Sequence, residues 1–159
     1  MADVTADLNR VLAEDDAAKG ALALILQSPF FGRETLSAAL GELSEHLIAV
    51  AFGGARIPRG NKGFDLVGRR GERIEVKARQ LSRWGSGLQF NFSKHTAQAD
   101  LVYCLAWDDT VAFPELRTAY RIPVPDLLRR WGTPDQRGYA ARTNLGLLRE
   151  AFTGLTEAK

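Results

Sequence analysis

The hydrophobic period of this 159-residue chain changes at Gly53-Gly54, and that change constrains the fold more than any other feature. From Arg33 to Phe52 the apolar positions Leu36, Leu40, Leu43, Leu47, Ile48, Val50 and Ala51 recur at three and four, which predicts one long helix. The glycine pair is a suitable stop, because glycine takes positive φ without a steric penalty. Upstream, Leu8, Val11, Leu12, Leu22, Leu24, Ile25 and Leu26 predict one or two helices between residues 5 and 27, interrupted near Gly20 and closed by Ser28-Pro29. Downstream the pattern alternates. Ala55-Arg56-Ile57 reads as a short strand, and Phe64 to Val67 and Arg73 to Ala78 flank the turn Gly68-Arg69-Arg70-Gly71 as an antiparallel hairpin. Leu88 to Phe92 reads as a further strand, and Ser93 as the N-cap of a short helix over Lys94 to Gln98. The nearly unbroken apolar run Leu101 to Trp107 predicts a strand buried on both faces. Arg117 to Ile122 suits an edge strand, with helices at Pro125 to Trp131 and Asn144 to Phe152. The order is that of a mixed-sheet α/β domain.

Composition fits a single domain, with an N-terminal helical extension over 1–30, a core over 34–108 and peripheral elements over 115–159. At 45% hydrophobic and 25% charged residues the chain can build a core and is too apolar for disorder. Cys104 is its one cysteine, so no intrachain disulfide is expected, which suits a reducing cytoplasm. The N-terminus MADVTADLNR lacks a basic segment followed by an apolar run, and no stretch approaches the ~18 apolar residues of a spanning helix. Neither secretion nor membrane insertion is expected.

Charge is unevenly distributed. Residues 1–53 carry three basic and eight acidic side chains, and residues 54–83 carry nine basic and three acidic. Sixteen of the 21 cations are arginine, the residue suited to bidentate phosphate contact. The middle segment is therefore a candidate polyanion footprint, with Arg56, Arg59, Lys62, Arg79, Gln80, Arg83 and Lys94 the candidate nucleic-acid contacts. The plainer reading has these arginines solvating hairpin turns.

Within that segment, Glu75-Val76-Lys77 places a carboxylate and an amine two apart, on one face of a strand, while Ile74, Val76 and Ala78 face the core. An acidic-x-Lys triplet is expected roughly 0.6 times by chance at this composition, and Glu157-Ala158-Lys159 is a second copy. The setting distinguishes the first. Asp65 lies ten residues upstream on the neighbouring strand, among apolar residues where an unpaired carboxylate is costly. Asp65, Glu75 and the Val76 carbonyl offer the hard oxygens that Mg²⁺ selects, and Lys77 beside them suits holding a water and favouring a developing phosphorane. The preceding helix adds Glu42 or Glu45, of which Glu45 is favoured. Any lone helix glutamate is more commonly a solvated flank.

Glu45, then Asn61 to Val67, Ile74 to Arg79 and Ala99 to Tyr103, resemble the PD-(D/E)xK nuclease superfamily of type II restriction endonucleases and archaeal Holliday-junction resolvases, over about residues 42–108. Phe64 stands where the family name has proline. The resemblance implies a restriction-endonuclease-like mixed sheet (αβββαβ) flanked by helices. It further implies Asp65, Glu75 and Glu45 as ligands of Mg²⁺, with Mn²⁺ as substitute, and Lys77 positioning the attacking water. The implied activity is endonucleolytic hydrolysis of duplex or branched DNA leaving 5′-phosphate, by a homodimer or within a larger defence or repair complex. The alternatives are an inactive nucleic-acid-binding or scaffolding module of the same fold, and a structural domain with an accidental Glu75/Lys77 pair.

Gln89, Asn91 and His95 are weaker candidates for contact with DNA, and two isolated histidines, His46 and His95, make no transition-metal site. Trp84, Phe90 and Phe92 read as core or loop anchors, and Cys104 as a buried hydrophobe.

Overall fold

The computed structural model describes residues 1–58, 60, 63–84, 87–133 and 138–157. In chain order the elements are β1 (Ala2–Asp3), α1 (Thr5–Glu14), α2 (Asp16–Gln27), α3 (Arg33–Phe52), β2 (Gly54–Arg56), β3 (Leu66–Gly68) and β4 (Arg73–Gln80). They continue with α4 (Leu81–Trp84), β5 (Gln89–Ser93), a 3₁₀ helix (Lys94–Gln98), β6 (Leu101–Asp108), β7 (Glu115–Pro123), α5 (Val124–Trp131), β8 (Tyr139–Asn144) and α6 (Leu145–Glu157). The architecture is mixed α/β. One six-stranded sheet has the order β1-β7-β6-β4-β3-β2, and β5 and β8 pair separately. Among the described residues only β4 and β6 run parallel; every other pair is antiparallel.

The sheet carries a core on each face, and β6 explains why. Tyr103, Leu105 and Trp107 point into a core with Leu8, Leu12, Leu40, Leu47 and Ile48 of the N-terminal helices. The alternate residues Val102, Cys104 and Ala106 enter a second core with Phe90, Phe92, Ile122, Leu127 and Leu148. A strand walled on both sides has no use for polar positions, hence its apolar run. Helix α3 is docked by a buried polar pair as well as by leucines: Ser44 Oγ donates to Leu40 O at 2.7 Å and accepts Trp107 Nε1–H at 3.0 Å. It ends at Gly53, whose φ is +78°. No helix among the described residues is long and apolar enough to cross a membrane.

Several expectations are corrected. The break between the first helices falls at Asp15 rather than Gly20, because the Asp15 carboxylate caps α2 by accepting Ala18 N–H at 2.9 Å. The segment 117–122 is part of an interior strand, since β1 covers the far side of β7. The strand at 88–92 lies outside the large sheet, because β8, whose sequence YAARTN shows no clean alternation, recruits it. The short helix at 94–98 is 3₁₀, capped by Ser93 Oγ accepting from His95 N–H at 3.2 Å. Phe64 and Asp65 precede β3 instead of opening it.

Candidate active site at the β3–β4 fork

The short β3 creates the site. Its ladder with β4 pairs Leu66 with Ile74 and Val67 with Arg73, whereas β4 runs on to Gln80. Asp65 N–H donates to Ile74 O at 2.7 Å, and the next donor on that side, Val76 N–H, goes to the Asp65 carboxylate at 2.7 Å. Beyond Ile74 the two strands therefore part, and a carboxylate stands in the opening. In an extended strand the N–H and C=O of one residue point the same way, so the Val76 carbonyl also faces the fork. The next carbonyl on that side, Ala78 O, is taken by Arg79 Nη1 at 2.9 Å.

Glu75, Lys77 and Arg79 project from the opposite face of β4 to Ile74, Val76 and Ala78, since they stand in register with Val102, Cys104 and Ala106 of the second core. Lys77 Nζ lies 2.8 Å from Glu75 Oε1, with the two side chains 25% and 8% exposed. Glu75 Oε2 is buried and has no hydrogen-bond partner among the described residues. Burial raises the pKa of Asp65, opposed by the Val76 N–H; the Glu75 charge raises it further, while Lys77 and Arg56 pull it down. Lys77 and Glu75 are thus paired, and Asp65 stands within electrostatic reach of both.

From the other side α3 supplies Glu45, which lines a pocket of about 320 Å³ with Glu42, Arg56, Phe64 and Asp65. Burial raises the Glu45 pKa, the hydrogen bond from Arg56 lowers it and the Asp65 charge raises it again. Glu45 thus feels the charge of Asp65. It is held by Arg56 Nε at 2.8 Å, and the same guanidinium lies 4.0 Å from Glu42.

The expected nucleic-acid contacts fare differently. Arg56 is a carboxylate partner here, not a free cation. Gln80 is buried and donates to Asp109 at 2.9 Å, which removes it from any DNA surface. Arg83 is engaged by Glu34. Arg79 is half-buried beside Glu75 and Cys104, and burial lowers its pKa. Lys94 is exposed on the 3₁₀ helix. Arg59 and Lys62 lie outside the described residues, as does Asn61. Cys104 is buried, which drives its thiol pKa far upward, and Phe90 and Phe92 are core. Asn91 accepts from Arg142 at 3.1 Å, and His46 bonds Asp15 at 2.8 Å.

Sequence reasoning missed the pairing of Arg56 with Glu45 and the seating of the loop before Asp65. A Cβ at Gly63 would meet His95 O at 2.5 Å, so only glycine lets residue 63 lie against the 3₁₀ helix. Gly63, next to Phe64, was the available signal.

Among the described residues no three of His, Cys, Asp and Glu form a metal cluster, so a cation here would rest on two carboxylates and a carbonyl. Hard oxygens with retained waters suit Mg²⁺, and the orphaned Oε2 of Glu75 fits such a role. Compared with known proteins, the chain matches no protein-family model and no curated protein.

Proposed function

We propose that the protein is a Mg²⁺-dependent DNA endonuclease with the PD-(D/E)xK arrangement, using Asp65, Glu75, Lys77 and Glu45. The observation that carries this reading is the buried, unpartnered Oε2 of Glu75 beside the carboxylate in the fork. An oxygen desolvated without a partner is costly, and a bound cation offsets that cost. Asp65, Glu75 and the Val76 carbonyl would hold Mg²⁺ or Mn²⁺, which supplies a polarised phosphate oxygen and a more acidic water. Lys77 is placed to orient that water and to balance charge on the phosphoryl group. Glu45 joins the set when Arg56 turns away, for instance to a phosphate. The run α3, β2, β3, β4 and then β6 parallel to β4 supports the restriction-endonuclease-like topology.

Duplex DNA presents two strands of opposite polarity, so one site per subunit favours a homodimer on duplex or branched DNA, alone or within a defence or repair complex. The single buried cysteine suits the cytoplasm.

Supercoiled plasmid and a four-way junction incubated with Mg²⁺, Mn²⁺ or EDTA test the proposal. Wild type nicks with either metal and not with EDTA, and Glu75→Gln reduces the rate at least 100-fold while remaining folded. Equal nicking by both proteins would refute it. One observation favours a second reading: Lys77 and Arg56 already neutralise Glu75 and Glu45 at 2.8 Å. An inactive binding module built this way shifts the plasmid on a gel without cutting it under any metal.

A further inference from the structure

We infer that the protein carries a second site, for a phosphoryl group, at the C-terminal end of α3 and separate from the fork. A pocket of about 410 Å³ opens there between the end of α3 and the Gly68–Gly71 turn. Phe52, Tyr103 and three guanidinium groups, those of Arg69, Arg70 and Arg121, line it. Phe52 is seven residues beyond Glu45, about 10 Å along the helix axis, so the pocket and the fork are different places.

Two of the cations are held in position. Arg121 stands in register with Tyr103 across β6 and β7 and lies 5.6 Å from the centroid of the Phe52 ring. The two rings are 6.0 Å apart, which makes a wall with the guanidinium on it. Arg69 folds back over Gly53. A Cβ at that residue would stand 2.7 Å from Arg69 Nε and 2.9 Å from Nη2, and its φ is +78°. Glycine there both ends the helix and leaves room for the guanidinium.

Neither cation has an acidic partner. Arg56, Arg73, Arg83, Arg117 and Arg129 all pair with carboxylates, whereas among the described residues Arg69, Arg70 and Arg121 form no ion pair. Glu72, the one carboxylate of the pocket, braces the turn: its Oε2 accepts Arg70 N–H at 2.8 Å. The negative end of the α3 dipole accounts for part of Arg69's placement and for none of Arg121's. Arg69 and Arg121 set about a pocket that Arg70, Phe52 and Tyr103 also line suit bidentate contact with phosphate oxygens, with a base or sugar against the rings. The phosphoryl group belongs either to a free nucleotide or to a nucleic-acid backbone.

The test titrates the full chain, in EDTA so that metal at the fork plays no part, with dAMP, deoxyadenosine and a 12-base-pair duplex lacking terminal phosphates. Binding is read by calorimetry and by amide shifts in NMR. Wild type is expected to show shifts at Gly53 and Gly68–Gly71, and R69Q/R121Q to lose at least tenfold in affinity for at least one phosphate-bearing probe. If dAMP binds at least tenfold tighter than deoxyadenosine and that preference is lost in the variant, the source is a nucleotide; if the loss is confined to the duplex, it is a backbone phosphate. Equal affinities of wild type and R69Q/R121Q for both dAMP and duplex overturn the inference. Should that variant fail to fold, wild-type shifts confined to other residues overturn it equally, and R70Q provides a second variant with the same expected direction. Plasmid nicking is measured separately, so failure here leaves the nuclease reading intact and the converse also holds.

Discussion

At the scale of single residues, the Glu75/Lys77 pair has a consequence that separates stability from activity. Glu75 is nearly sealed, and Lys77 is its only ion-pair partner among the described residues. Lys77→Met removes that partner and leaves a buried carboxylate, which costs about 1–3 kcal/mol, less than for a fully buried pair because Lys77 is a quarter exposed. Glu75→Gln/Lys77→Met removes both charges and recovers most of the loss. Urea unfolding of the four proteins of this cycle measures the coupling; additive effects would show that the pair contributes nothing. Lys77→Ala alone is therefore a poor activity probe, since lost turnover and lost fold coincide.

At the scale of elements, the docking of α3 depends on Ser44 as well as on its leucine stripe. Ser44→Ala orphans the Trp107 indole N–H in the core and is expected to cost about 1–3 kcal/mol, measured as a lower urea midpoint at unchanged m-value. The helix itself was readable because its stripe repeats over 20 residues, and β6 because seven successive apolar residues admit few other placements. The Glu75-x-Lys77 face followed from strand alternation alone. What escaped was set by distant partners. Two residues of β1 show no period, and Gln80 reads as a surface amide until Asp109, 29 residues away, is seen to bind it. Arg56 reads as a phosphate contact until the chain returns it to Glu45 on α3.

At the scale of the whole molecule, the fork makes stability depend on pH in a definite direction. Burial raises Asp65 above its ordinary 3.8, so between that value and its folded pKa the native state binds more protons than the unfolded chain. Stability contributed by this group is thus lost as pH rises through the window. Asp65→Asn keeps an acceptor for Val76 N–H and removes the charge. Its Tm is expected to exceed wild type at neutral pH, with the gap closing as the solution is acidified. On the proposed Mg²⁺ site, added Mg²⁺ is expected to reverse the order, raising the wild-type Tm by mass action and leaving Asp65→Asn unmoved, with an effect that fades on acidification as Asp65 and Glu45 take up protons. Thermal scans over pH, with and without Mg²⁺, check both. The parting of β3 from β4 has one more consequence. Since β2 pairs only with β3, and β3 meets β4 through two residue pairs, the β2–β3 ribbon is attached like a flap along a short seam. Leu66 of that ribbon is buried in the first core and Arg56 is tied to Glu45 of α3, so any swing that widened the gap around Asp65 would also have to repack that layer.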